Sequence, residues 1–171
     1  PSGTWGLDFV VGLTKPRNDP NRGGGSAPDF VRILARSDNT EVTIQPPASG
    51  GCGVLGAGRY CDIYVSRNTR ITASEPVLTG HFLLSTDGRT GDPAMAFTPP
   101  IEQFRTDYTF LTPQEYDEDY ITVVARLNGR VTLDGEDVSE NLQALDEEYR
   151  VGVVPVEAGQ HTLRCPESCS V

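Results

Sequence analysis

Four kinds of side chain in this 171-residue sequence could do chemistry: carboxylates, cysteines, exposed tyrosines and two histidines. The carboxylates crowd into two clusters, Glu115, Asp117, Glu118 and Asp119, then Asp134, Glu136 and Asp137. Hard oxygen ligands at this density suit calcium. The run Asp-Gly-Glu-Asp at 134–137 lacks the spacing of an EF-hand loop, and a solvated acidic rim is the alternative reading. Calcium (Ca2+) is the one candidate cofactor. The cysteines form two local pairs, Cys52 with Cys61 and Cys165 with Cys169. An even count at short separation suits disulfides in an oxidising compartment. A metal site is the alternative, although Cys-x-x-x-Cys is not a usual zinc knuckle and only His81 and His161 could join it. Tyr60, Tyr64 and Tyr116 are the candidates for stacking on a ligand, whereas Trp5 and Tyr120 read as core.

Catalysis finds little support. A hydrolase needs a nucleophile and a base held together. The only imidazole bases are His81 and His161, and no Gly-x-Ser-x-Gly elbow is present. His81 sits in an apolar strand, as a hydrogen-bonded packing histidine does. Paired carboxylates for glycoside cleavage are available in number, but they come in runs, as on solvated surfaces. Gly23-Gly-Gly25 lacks the helix that a phosphate loop needs. A Lys–Asn isopeptide could use only Lys15, in a loop. We expect no enzymatic activity.

Those residues must be held by strands. The chain has 18 Gly and 13 Pro, many Thr and Val, and almost no amphipathic helical run. That balance points to an all-β protein with few or no helices. Asp119-Tyr-Ile-Thr-Val-Val-Ala-Arg126, a tight turn and Val131-Thr-Leu133 repeat Asp29-Phe-Val-Arg-Ile-Leu-Ala-Arg36 and Val42-Thr-Ile44. Trp5-Gly-Leu-Asp-Phe-Val-Val11, with Leu7, Phe9 and Val11 on one face, returns as Phe104-Arg-Thr-Asp-Tyr-Thr-Phe110. Tyr60 to Val65 alternates, with Tyr60, Asp62 and Tyr64 on one face. Tyr149 to Val154 answers it, and His161 to Cys165 answers Thr69 to Ala73. The last strand of the first copy, residues 76–84, has no counterpart before the sequence stops at Val171. The expected architecture is therefore two tandem β-sandwich-like units from an internal repeat. Residues 1–98 form the first, with a loop at 14–28 and a joint at 85–98. Residues 99–171 form the second, lacking its last strand. The insert 134–148 predicts one helical turn capped at Ser139.

Charge divides unevenly between the copies. Residues 1–98 hold nine basic and nine acidic side chains, and residues 99–171 hold five and fifteen. The net charge of −10 lies in the second copy. Such a surface repels nucleic acid and anionic lipid, and no apolar run is long enough to insert in a membrane. The sequence begins at Pro1 and reads as a processed or excised piece, so a missing leader says nothing of export. Lys15 is the sole lysine among 14 basic residues, a bias that suits a GC-rich bacterial genome.

Asp38-Asn39-Thr40 with Val42-Thr43-Ile44, Leu55-Gly-Ala-Gly58, Ile71-Thr-Ala-Ser-Glu-Pro-Val77 with Gly80-His81, and Gly91-Asp-Pro93 form an ordered series. Pro99-Pro-Ile-Glu-Gln103, Tyr108-Thr-Phe-Leu-Thr-Pro113 and Ala158-Gly-Gln-His-Thr162 complete it. The series resembles the IgGFc-binding protein N-terminal domain family, found in a secreted mucus protein and in bacterial surface proteins. Gly91-Asp-Pro93 and residues 108–113 look most like its bacterial, myxobacterial-like branch. Domains of that family continue with an aromatic Tyr-Gly segment ending in Gly-Gly, which this sequence lacks. The resemblance implies an extracellular or bacterial cell-surface location. It carries no Fc-contact residue onto this sequence, so antibody binding is not expected from it. The expected function is a non-catalytic adhesion module recognising an extracellular glycan or protein. The runner-up is a structural repeat of a surface filament or stalk, completed by strands from neighbouring domains.

Overall fold

The computed structural model describes residues 4–16, 28–83 and 93–171. It is all-β. The first strands are β1 (Gly6–Val11), β2 (Asp29–Ala35), β3 (Val42–Gln45), β4 (Tyr60–Val65), β5 (Thr69–Leu83) and β6 (Ala94–Phe97). Then come β7 (Arg105–Thr112), β8 (Asp119–Arg126), β9 (Thr132–Leu133), β10 (Glu136–Asp137), β11 (Gln143–Ala144), β12 (Tyr149–Val156) and β13 (Gly159–Ser170). Short 3-10 turns occupy Ile101–Gln103 and Ser139–Asn141. The chain divides into two compact units, Pro1–Gln103 and Phe104–Val171.

In the first unit β5 does most of the joining. Its first half lies between β1 and β3, and its second half between β2 and β6. β4 closes the far side of β2. Between its halves β5 bulges: Thr72 faces Asp8, but Val77 already faces Gly6. Five steps along β5 thus match two along β1. A bulged strand bends, which lets β5 leave one layer and enter the next. Phe9, Val11, Val31, Ile33, Ile63, Val65, Ile71 and Val77 fill the space enclosed. Fully burying a side chain of this kind contributes roughly 1.5–3 kcal/mol.

The second unit repeats the device. β13 pairs with β7 and β9, and Arg164 faces Asp107 while Cys169 faces Arg105. The bulge again takes five steps against two. The Tyr108 hydroxyl receives the Arg105 amide and donates to the Cys169 carbonyl, spanning the bulge. Beyond it, Cys169 and Ser170 pair with Ala125 and Val124 of β8, as Val77 and Leu78 pair with Ala35 and Leu34. That ladder has two pairs where the first unit has six, and it is the point where the second unit falls short of the first. The expected match of His161–Cys165 to Thr69–Ala73 holds in register, since Leu163 and Ile71 face Tyr108 and Phe9 respectively.

Several expectations need correction. Asp29 faces Val65 and Asp119 faces Val156, so Tyr60 corresponds to Val151, not Tyr149. Leu7, beside the bulge, stays exposed instead of joining Phe9 and Val11. Within the expected joint, residues 94–97 form β6. Residues 85–92 of the expected joint, Gly91 and Asp92 included, and loop residues 17–27 lie outside the described residues. Pro100 packs so closely on β1 that a Cβ at Gly6 would lie 2.2 Å from its ring, which holds residues 99–103 to the first unit. Ser139 caps nothing with its side chain: it is the first residue of its turn, and its hydroxyl accepts the Val131 amide.

Both disulfides form, Cys52–Cys61 and Cys165–Cys169. They are not equivalent in the repeat. The first ties a loop to β4, and the second closes the bulge of β13. Replacing Cys165 and Cys169 together by alanine is expected to lower the stability of the second unit by about 2–3 kcal/mol on the loop-entropy account. Chemical denaturation followed by Phe104–Tyr149 fluorescence would show an earlier second-unit transition, and an unmoved midpoint would deny the bridge this role.

Candidate functional site

Alternation along β4 turns Tyr60, Asp62 and Tyr64 outward and Ile63 and Val65 inward. The register extends that outward face across four strands. Tyr64, Phe30, Phe82 and Met95 form one row, and Asp62, Arg32, Gly80 and Phe97 the next. Leu34 and Leu78 continue beside Tyr60. Tyr60 is 53% exposed, Tyr64 45%, Met95 49% and Phe97 51%, so four large apolar side chains on one face meet solvent.

The rings in the first row stand at angles. Phe30 lies 5.4 Å from Tyr64 at 58° and 5.2 Å from Phe82 at 62°. Such tilted packing is the favoured aromatic geometry. Arg32 binds Asp62 through two hydrogen bonds, Nε to Oδ1 at 2.7 Å and Nη2 to Oδ2 at 2.8 Å. Its guanidinium carbon lies 4.1 Å from the Tyr60 ring centroid. The hydrogen bonds from Arg32 hold the Asp62 carboxyl below its usual range. One cation and one anion thus cancel in the middle of an apolar face. Behind Tyr60 a cleft of about 550 Å³ is lined by Val54, Leu55, Gly56, Gly58 and Arg59. The Asp38 carboxylate fixes that loop by accepting the Ala57 amide.

Of the expected ligand residues, the face joins Tyr60 and Tyr64. Tyr116 is exposed, in the other unit. Sequence reading missed Arg32, Phe82, Met95 and Phe97. The alternation Phe30-Arg32-Leu34 was visible as a signal, and so was the apolar run 94–97, read as joint.

The acidic clusters do not assemble into a metal cage. Among the described residues no group of three or more His, Cys, Asp or Glu side chains is placed to hold an ion. Asp134 and Gly135, with φ of 53° and 90°, are the two-residue turn of the β9–β10 hairpin. Asp-Gly favours that turn because both residues need positive φ. The Asp134 carboxylate takes the Thr162 amide and the His161 ring. Asp137 receives Arg130 and the Ser139 amide, and Glu118 receives the Tyr120 hydroxyl. Glu115, Asp117 and Glu136 are exposed. Asp119 as well as Asp134 acts electrostatically on His161.

His161 invites comparison with a catalytic relay, and its partners refute it. Nδ1 lies 2.7 Å from Asp134, and Nε2 lies 3.2 Å from the Thr112 hydroxyl. Yet Nε2 is closer to the Glu157 carbonyl, at 2.7 Å, and Thr112 donates to that same carbonyl. Carboxylate and carbonyl only accept, so both ring nitrogens donate. A ring donating twice has no lone pair for a hydroxyl proton. His81 is a packing histidine, as expected, and lies 2.9 Å from the buried Asp29 carboxylate. Burial raises the Asp29 pKa, but His81 and the Thr14 amide and hydroxyl outweigh it and leave it lowered.

A family model described as IgGFc binding protein matches residues 1–171. The chain belongs to that family. No curated protein and no solved structure gives a significant match. The IgGFc binding protein family is a family of binding domains, and its match covers both repeat units without singling out a bacterial branch. Membership and two disulfides are consistent with an extracellular location. Among the described residues no helix is long and apolar enough to cross a membrane.

The His161 cluster sets a pH dependence. Asp134 chiefly, then the Glu157 carbonyl, raise the imidazole pKa, and His161 in turn lowers that of Asp134. A raised histidine stabilises fully below its unfolded value of about 6.5, and the gain is lost as pH rises through the folded value. The lowered Asp134 contributes above its unfolded value and loses its share as pH falls through the folded one. The second unit should therefore weaken from about pH 6.5 upward. His161→Gln should flatten that slope in denaturation midpoints, and an unchanged slope would assign it elsewhere.

Proposed function

We propose that this chain is an extracellular, non-catalytic adhesion module that captures a protein partner on the outer face of its first unit. The reading rests on one observation: Tyr60, Tyr64, Met95 and Phe97 are half exposed on a single face in which Arg32 and Asp62 neutralise each other. Contiguous exposed apolar surface marks interaction sites. Tyr, Phe, Met and Arg are the residues enriched at protein interfaces, where Lys and Glu are depleted.

A glycan is the weaker ligand. Sugar stacking wants a flat ring with free polar groups around it. Phe30, Tyr64 and Phe82 are tilted against one another, and Arg32 and Asp62 already satisfy each other. The Tyr60 ring is already covered by Arg32, whose guanidinium carbon lies 4.1 Å from its centroid. An ion pair this exposed contributes little to stability, so its value lies in keeping the face neutral.

The test is a binding panel with the purified chain against IgG Fc, mucins and assorted glycans, each in calcium and in EDTA. IgG Fc belongs there because the family's name points to it. The double variant Tyr60→Ser, Tyr64→Ser should lose at least about tenfold in affinity for the captured protein. Tyr116→Ser should bind as the unsubstituted chain does. Capture that survives the double variant would place the site elsewhere. Capture of a glycan alone would replace the protein reading, and EDTA sensitivity would restore calcium.

A further inference from the structure

β6 is an edge strand, and its composition is unusual for one. Ala94, Met95, Ala96 and Phe97 are all exposed and all apolar. On one side the strand pairs with residues 80–83 of β5. Among the described residues nothing pairs with its other side. Edge strands are ordinarily blunted by charge, proline or a bulge, because a free row of amides and carbonyls recruits another strand. β6 has none of these within it. The opposite edge of the sheet differs, because β4 receives Ser49 across a bridge at Tyr64.

Which backbone groups point outward follows from the ladder. The Thr98 amide donates to the Thr79 carbonyl of β5. In an antiparallel strand the direction alternates, so Ala94 and Ala96 also turn their amides and carbonyls to β5. Met95 and Phe97 turn theirs to the free edge. Their side chains share the outer face, as their partners Phe82 and Gly80 do.

We propose that the chain forms a two-fold dimer by pairing β6 with β6 of a second copy, antiparallel, with Met95 opposite Phe97 and the axis at Ala96. The strand is complementary to itself in that register. Met95 and Phe97 exchange both amide–carbonyl bonds with the second copy's Phe97 and Met95, so all four outward groups on each edge are used. Centring the pair on Met95 or on Phe97 leaves part of that row unmatched. Side chains agree as well: Met95 lies beside Phe97 on the outer face, a favourable sulfur–aromatic neighbourhood, and alanine meets alanine beneath. Charge does not oppose the contact. Residues 1–98 balance nine basic against nine acidic side chains, and the acidic excess lies in residues 99–171. A dimer of this form joins two sheets into one and doubles the outer face, whatever that face binds.

Sedimentation velocity of the full chain up to about 100 μM tests the association. The unsubstituted chain should dimerise. Met95→Pro removes an outward amide without touching the β5 ladder and should weaken the dimer at least about tenfold. Far-UV circular dichroism checks that this variant folds. The register has its own readout. Ala96 faces itself in a non-hydrogen-bonded pair, with Cα atoms about 4.5 Å apart. That separation lies within the disulfide range of about 4.4–6.8 Å. Ala96→Cys should therefore crosslink the dimer under mild oxidation, and Ala94→Cys should not. All four native cysteines are already bridged. A chain that stays monomeric, a dimer indifferent to Met95→Pro, or crosslinking at 94 in place of 96 would overturn the proposal.

Discussion

The bulge in the long strand of each unit is the constraint on which the other strands depend. β5 carries β1, β3, β2 and β6, and β13 carries β7, β9 and the end of β8. β5 faces β1 up to the five-against-two step and β2 from Val77 onward, and the core draws Phe9 and Val11 from β1 and Val31 and Ile33 from β2. The outer face of the first unit is a further product of the bend, since its rows exist only where β5 runs between β2 and β6. The proposed binding face thus sits downstream of one irregularity in one strand.

How far the sequence revealed this depends on the kind of signal. The repeat was plain because Asp29, Ala35 and Arg36 return with their spacing kept. The cysteine pairs were plain from separation and parity alone. The match between the β4 and β12 strands slipped by two residues because tyrosine was set against tyrosine. A slip of two leaves every side chain on its own face, so hydrophobic alternation cannot detect it. Tyr149 is in fact buried and packs edge-on against Phe104, while Tyr60 is exposed on Arg32. The face itself was half legible. Tyr60 and Tyr64 announce it on one strand, but Phe82, Met95 and Phe97 join only through pairing across strands, which no local pattern records. Leu7 and β6 were hidden by the same limit.

The acidic second copy shows why ligand density misleads. Asp134 looked like a calcium ligand by type and company. Its backbone supplies a hairpin turn, and its carboxylate binds an amide and an imidazole. Both histidines of the chain end in structural roles, one in each unit: His161 clasps Asp134 to the Glu157 carbonyl, and His81 pairs with Asp29, which in turn holds Thr14. Neither cluster is a copy of the other: His81 lies late in β5, and His161 stands where β5 has Thr69. Each closes strand ends that the shared architecture leaves polar and partly buried.

The bridge across the bulge of β13 also bears on how the two units would carry a load. In the first unit the slack at residues 73–76 is held by packing and hydrogen bonds alone. Tension along β5 can draw that slack straight, feeding length into the strand before its flanking ladders shear. In the second unit Cys165 and Cys169 lock the equivalent slack covalently. Two units built on one plan thus differ at this point: the bulge of the first can lengthen, and that of the second is fixed by a covalent bond.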